Sequence, residues 1–274
     1  MSGCRWADAL VRGLRRKRQY LLAAAGLVIV GAIALFVAQD RVRNSDGLWL
    51  LVHEKCVPDQ VQHGNPAPCA LVYLQDGVER GYVILKDLIG VTQFLLLPTA
   101  RIAGIESPEL QLPSTPNYFA AAWRERGFVE RAAKRTLPRT ALSLAVNAVL
   151  NRSQNQLHIH MDCVRLDVQA ALLRLLAAVG DDWAVLPEPL AGHSYQARRI
   201  LGDDLNAANP FILLADGVPG ARTAMGAQTL TVVGAQFADG KTGFIMLNAQ
   251  VDVGARAFIK GEELQDHSCA AARE

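Results

Sequence analysis

The chain has 274 residues, with 28 Lys and Arg against 26 Asp and Glu, a formal net charge of +2. Residues 1–19 alone carry +5, from Arg5, Arg12, Arg15, Arg16, Lys17 and Arg18 against Asp8, so the rest of the chain is at −3. That distribution, with no basic stripe interleaved with aromatics, excludes a nucleic-acid partner.

Tyr20 to Gln39, "YLLAAAGLVIVGAIALFVAQ", follows without one charge. At about 1.5 Å per residue, a helix of this length spans the roughly 30 Å hydrocarbon core of a bilayer. A buried core helix and a cleaved signal peptide are the competing readings; the apolar region of a signal peptide is usually only about 7 to 15 residues long. The expectation is therefore a basic cytoplasmic leader over 1–19, a single transmembrane anchor over 20–39, and an exported domain over 40–274, oriented by the positive flank. Cysteine usage agrees with that placement. Cys4 lies on the reducing side, whereas Cys56, Cys69, Cys163 and Cys269 form an even set in an oxidising compartment. Cys56 and Cys69 bracket "CVPDQVQHGNPAPC" and pair naturally, which would leave Cys163 with Cys269. Four cysteines allow three pairings, and the sequence alone does not choose among them.

The exported part reads in order as follows. Trp49 to Lys55 suggest a short helix; "GYVILK" (81–86) and "FLLL" (94–97) read as strands flanking Asp87 and a turn at Gly90. Thr115-Pro116 signals a helix start, predicted to continue from Asn117 to about Arg135 with Phe119 and Trp123 inward. "LSLAVNAV" (142–149) and the run from Gln156 to Cys163 both alternate, and the polar loop "LNRSQN" between them predicts a hairpin. Alternation puts Leu157, Ile159, Met161 and Cys163 on the apolar face, and Gln156, His158, His160 and Asp162 on the other. A helix over Asp167 to about Val179 is followed by strands at 211–214, 229–236 and 242–250, with Asp239-Gly240 as a turn. From about residue 181 the chain is a second small domain or an extension of the same sheet.

Spacing gives His158 and His160 three readings. They are exposed polar positions on a half-wet strand; two metal ligands completed by Asp162, His193 or His267; or a nucleophile and its helper, since a neutral imidazole attacks phosphorus well. "QLHIHM" resembles the histidine-triad motif, His-φ-His-φ-His-φ-φ, of nucleotide hydrolases and transferases. More narrowly, "GYVILKDL" (81–88), "ESPEL" (106–110), "STPN" (114–117), "HIH" (158–160) and "QDH" (265–267) ahead of Cys269 resemble the bacterial CDP-diacylglycerol pyrophosphatase family across the exported region.

The resemblance implies an α+β fold: a histidine-triad-like antiparallel sheet with packed helices and a C-terminal α/β extension behind the N-terminal transmembrane helix. It implies a single-pass protein of the bacterial inner membrane with its catalytic domain in the periplasm, cleaving membrane-bound CDP-diacylglycerol to CMP and phosphatidate with no cofactor and no metal. A lipid substrate suits a tethered enzyme, because drawing acyl chains from a bilayer costs roughly 0.8 kcal/mol per CH₂. The middle triad residue, the attacking one, maps to His158 and the third to His160; Asn147 matches the substrate-side Asn. Gln156 stands where the superfamily has its first histidine, which removes one titratable group. Substrate contacts are expected from Gln156, Ser153, Gln154 and Lys86, and from His193, Tyr195 and Arg198 of "GHSYQARR". The superfamily commonly dimerises through a sheet edge, and the extra C-terminal strands are the alternative cover for that edge. Three other readings stand beside this one: a metallohydrolase built on His158 and His160, a membrane-anchored binding protein favoured by Gln156, and a pyrophosphatase of soluble nucleotides.

Overall fold

A computed structural model describes residues 45–238, 240–252, 254 and 257–273. The leader, the uncharged segment 20–39 and Cys4 lie outside the described residues. Among the described residues, no helix is long and apolar enough to cross a membrane. Residues Leu48–Glu274 form one compact unit.

Its frame is one antiparallel sheet of ten strands: β1 (Leu71–Tyr73), β2 (Tyr82–Lys86), β3 (Phe94–Pro98), β4 (Leu142–Val146), β5 (Ile159–Val164), β6 (Ala184–Val185), β7 (Gln196–Leu201), β8 (Gln228–Gln236), β9 (Thr242–Gln250) and β10 (Gln265–Asp266). The order is β1-β2-β3-β5-β4-β8-β9-β7-β6, with β10 pairing to the C-terminal end of β5. β4 and β5 are antiparallel neighbours, with Ala145 opposite His160. The part after residue 181 is an extension of the same sheet, because β8 pairs directly with β4. It is antiparallel throughout, which corrects the α/β expectation for that region.

Residues directly opposite in neighbouring strands project to the same face. Met161, Leu144, Val232, Met246 and Arg198 therefore share one face, and Leu95, His160, Ala145, Thr231, Leu247 and Ala197 share the other. The first face carries the larger core. It is covered by α3 (Tyr118–Arg124), α4 (Gly127–Ala133) and α6 (Pro210–Gly217), whose Phe119, Trp123, Val129, Phe211 and Leu214 pack on Leu157, Ile159, Met161 and Cys163. The second face is covered at its two ends. At one end a continuous helical stretch, α1 (Gly47–Leu51), a π-turn (Val52–Cys56) and α2 (Val57–His63), seats Val52 and Cys56 on Leu95 and Leu97. At the other end α5 (Leu166–Leu175) and the C-terminal segment pack Val168, Leu172, Ile259 and Leu264 against Val233 and Leu247. His158 and His160 lie on the face between these two satellite cores.

Two predicted elements change, and one cap. Phe211–Leu214 belong to helix α6, not a strand: Asn209 accepts from the Phe211 amide (3.1 Å) and Pro210 occupies the first turn, a start signal that outweighs the short apolar run. The helix from 117 is two helices, because the Arg126 guanidinium takes the Trp123 carbonyl (2.9 Å) and Gly127 opens a new one. Its cap is Asn117, which accepts from the Ala120 amide, not Thr115. Both disulfides form, Cys56 with Cys69 and Cys163 with Cys269.

Candidate active site

His158 lies just before β5 and His160 on it, their rings 5.0 Å apart and edge-on. Both are buried, at 9% and 6% exposure, which rules out the half-wet strand. Burial of that face comes from the C-terminal turn Gly261–Leu264, laid across it by bonds from distant strands. Asn147 Oδ1 accepts from the amides of Gly261 (2.9 Å) and Glu262 (3.4 Å), and Thr231 donates to the Gly261 carbonyl. Gly261 must be glycine for this approach, since a Cβ there would sit 2.9 Å from the Val146 carbonyl oxygen. Gln265 then ties the turn to the strand, donating to the His160 carbonyl (3.1 Å).

The tautomer of His158 follows from its neighbour. His158 Nδ1 is 2.7 Å from the Gln156 carbonyl. A carbonyl only accepts, so Nδ1 carries the proton and Nε2 holds the lone pair. Gln93 Nε2 is 2.6 Å from His160 Nδ1. His160 Nε2 is buried with no hydrogen-bond partner. Glu262 Oε2 lies 3.3 Å from His160 Nδ1, an ion pair only when His160 is protonated.

Burial pushes the His158 pKa below the ordinary histidine value, opposed by the Gln156 carbonyl and by Glu262 and Asp87, with Arg152 adding to the depression. Burial, followed by the His158, His267 and Lys260 charges, holds His160 well below it. His267 moves the other way: its Nδ1 is 2.8 Å from the fully buried Asp162 carboxylate, whose hydrogen bond raises its pKa. Asp162 also accepts from Thr92 (2.6 Å) and the Cys163 amide (2.8 Å). The face thus places two imidazoles held neutral beside a third whose cationic form is favoured.

The other expected residues divide. Asn147 reaches the site through its turn. Gln156 acts as a brace: its Nε2 donates to the Pro98 (2.8 Å) and Ala100 (2.9 Å) carbonyls, fixing the segment whose carbonyl holds His158, and both donors are used there. Gln154 accepts from the Leu48 amide (3.0 Å), and Ser153 is exposed on the same loop. Lys86 donates to the Asp87 and Gly90 carbonyls and shapes the β2–β3 turn. The "GHSYQARR" residues are displaced from the histidines. Arg198 projects from the opposite face of the sheet, because it stands in the Met246–Met161 row. Tyr195 is buried against Glu263 (2.7 Å), and His193 Nε2 lies 3.8 Å from the same carboxylate; both support the C-terminal turn from behind. Among the described residues, no three His, Cys, Asp or Glu side chains are grouped to hold a metal ion. Asp162 and His267, candidates for completing a metal shell, are bonded to each other.

Sequence reasoning did not single out Gln93, Thr92, Glu262, Gln265 or the pair in which Arg152 grips Glu106 at 2.5 and 2.6 Å. Each is an isolated polar residue beside a strand or turn, and only the cross-sheet register gives it a partner. Glu106 belongs to the quoted "ESPEL" and Gln265 to the quoted "QDH", which were the available signals.

An imidazole with an unprotonated Nε2, buried beside a second imidazole, is equipped for nucleophilic hydrolysis of a charged ester or anhydride. The model of the CDP-diacylglycerol pyrophosphatase family matches residues 43–273. The chain belongs to that family and is an enzyme, a hydrolase of CDP-diacylglycerol in lipid metabolism.

Proposed function

We propose that the protein cleaves CDP-diacylglycerol by covalent catalysis at His158, in a site of histidine-triad type. The observation that supports it is the His158 Nδ1–Gln156 carbonyl bond, which leaves the Nε2 lone pair for phosphorus. In the first step Nε2 attacks the phosphorus bearing cytidine. The anhydride P–O bond breaks and phosphatidate leaves with the electron pair, giving a cytidylyl-histidine whose positive ring the Gln156 carbonyl stabilises. In the second step water attacks the same phosphorus, the P–N bond returns its pair to Nε2, and CMP and a proton are released. His160 Nε2–H donates to a non-bridging oxygen, where charge grows in the transition state. Asn147, its oxygen engaged by the Gly261 turn, turns its amide nitrogen to the phosphoryl group.

The brace role of Gln156 supports activity without the first triad histidine, because what His158 needs from position 156 is a backbone carbonyl. The anchor over 20–39, with the domain in the periplasm of a bacterial envelope, completes the reading: it holds the enzyme at its lipid.

The test is mass spectrometry of protein quenched without acid after mixing with CDP-diacylglycerol in detergent and EDTA, with CMP release followed in parallel. A cytidylyl adduct on His158, absent from His158→Ala, is expected. A phosphatidyl adduct would move the attack to the other phosphorus. Turnover abolished by EDTA and restored by a stoichiometric metal would overturn the scheme.

A further inference from the structure

The β2–β3 turn, residues 87–93, borders the site through Gln93 on His160 and Thr92 on Asp162. Its tip, Leu88-Ile89-Gly90-Val91, is uncharged. Leu88 is fully exposed, and Ile89 and Val91 are 66% and 65% exposed. Polar groups of the turn face inward instead. Asp87 caps the Ile89 amide (3.0 Å), Lys86 holds the Asp87 and Gly90 carbonyls, and the Val91 amide donates to the His267 carbonyl (2.8 Å). Gly90, at φ +75°, has no room for a Cβ against His267. The turn is therefore pinned with its three aliphatic side chains outward, and it has no freedom to fold them away. This is the reverse of a water-facing loop, in which polar side chains are outermost.

We infer that the Leu88–Val91 tip inserts into the surface of a phospholipid bilayer and sets the histidine pocket at the head-group layer. This rests on the reading of the protein as a hydrolase of a diacyl lipid at a membrane. A bilayer is favoured over a second copy of the chain on two grounds. The tip adjoins the pocket that must take a lipid head group. In addition, Leu48 is bonded to Gln154 two residues before the Gln156 brace, and only eight residues separate it from the uncharged segment ending at Gln39, a reach of at most about 30 Å. Shallow insertion of apolar side chains beside a site is a means of holding it at the interface, where the phosphoanhydride lies.

Two measurements on the full-length protein reconstituted in vesicles decide it. The first compares Ile89→Trp with the unaltered chain in phosphatidylcholine vesicles carrying brominated acyl chains, so that the signal of the native tryptophans is subtracted. Extra quenching, from the introduced indole, is expected. The second measures hydrolysis by a Leu88→Ser/Ile89→Ser/Val91→Ser variant. Its kcat/KM on CDP-diacylglycerol in vesicles should fall about tenfold or more, as expected when three aliphatic side chains lose their apolar phase. Its activity on a short-chain, water-soluble analogue should be unchanged, which also shows that the variant folds. No extra quenching, or full vesicle activity in the triple variant, overturns the inference. Shielding of the introduced indole that grows only with protein concentration would assign the tip to a second copy instead. Failure of the unaltered chain to hydrolyse either lipid would overturn the lipid-hydrolase reading, with the quenching result still deciding insertion.

Discussion

His158 and His160 differ by one hydrogen bond each: a carbonyl on one Nδ1, an amide nitrogen on the other. The carbonyl leaves the lone pair of His158 on Nε2, the proposed nucleophile, while the His160 Nδ1 edge meets Gln93 and, at 3.3 Å, Glu262. His158→Ala should lower kcat by about 10³-fold or more, as for other catalytic nucleophiles, measured as CMP release. Gln93→Leu leaves His160 in place but removes the amide partner of its Nδ1. A loss of about 10–100-fold, the scale of partners that orient a functional imidazole, is expected in kcat with KM little changed. Because burial lowers the His158 pKa, its lone pair persists on the acid side of the ordinary histidine value. The acid limb of the kcat/KM profile should therefore fall below pH ~6.5; a limb centred at or above it would contradict the buried, neutral nucleophile.

At the scale of elements, the site is a strand and a turn that belong to distant parts of the chain. β5 and the residues just before it supply the histidines, and Gly261–Leu264 closes over them through Asn147, Thr231 and Gln265. Gly261→Ala would force that turn away from the Val146 carbonyl. A loss of about 1–3 kcal/mol, the usual cost of overpacking, is expected in urea unfolding, with a fall in kcat because Asn147 and Glu262 move with the turn. The Cys163–Cys269 bond links β5 to the tail across 106 residues. Replacing both cysteines with alanine should cost about 2–5 kcal/mol, read by the same unfolding curve. The hairpin, the strands at 82–86, 94–98, 228–236 and 242–250, and the inward face of β5 were legible, because each is a periodic run whose partners are near in sequence or identical in type. The helix at 210–217 was not: four apolar residues carry no period, and its cap and proline decide the case.

For the whole molecule, the histidines make stability depend on pH from two sides. His158 and His160 have depressed pKa values in the folded state, so an unfolded chain binds more protons below pH ~6.5. Their contribution is complete above that value and is lost as the pH falls towards their folded values. His267 has a raised pKa, so its contribution is complete below pH ~6.5 and is lost as the pH rises through its folded value. Thermal midpoints from pH 5 to 8 should drop more steeply on the acid side, since two buried rings act there against one half-exposed ring. His160→Gln should flatten the acid slope; an unchanged slope would place the titration elsewhere.

By itself, the sequence determined the strand that carries the histidines, which face of it is apolar, and the family, because period-two alternation and short motifs are local properties of the chain. Tertiary structure alone decided that the polar face is buried, that Gln156 braces the Pro98 and Ala100 carbonyls, that Arg198 stands on the far side of the sheet, and that His267 belongs to Asp162. Each of those depends on which strands become neighbours and in what register, and a one-residue shift of register would have turned every one of these side chains to the other face.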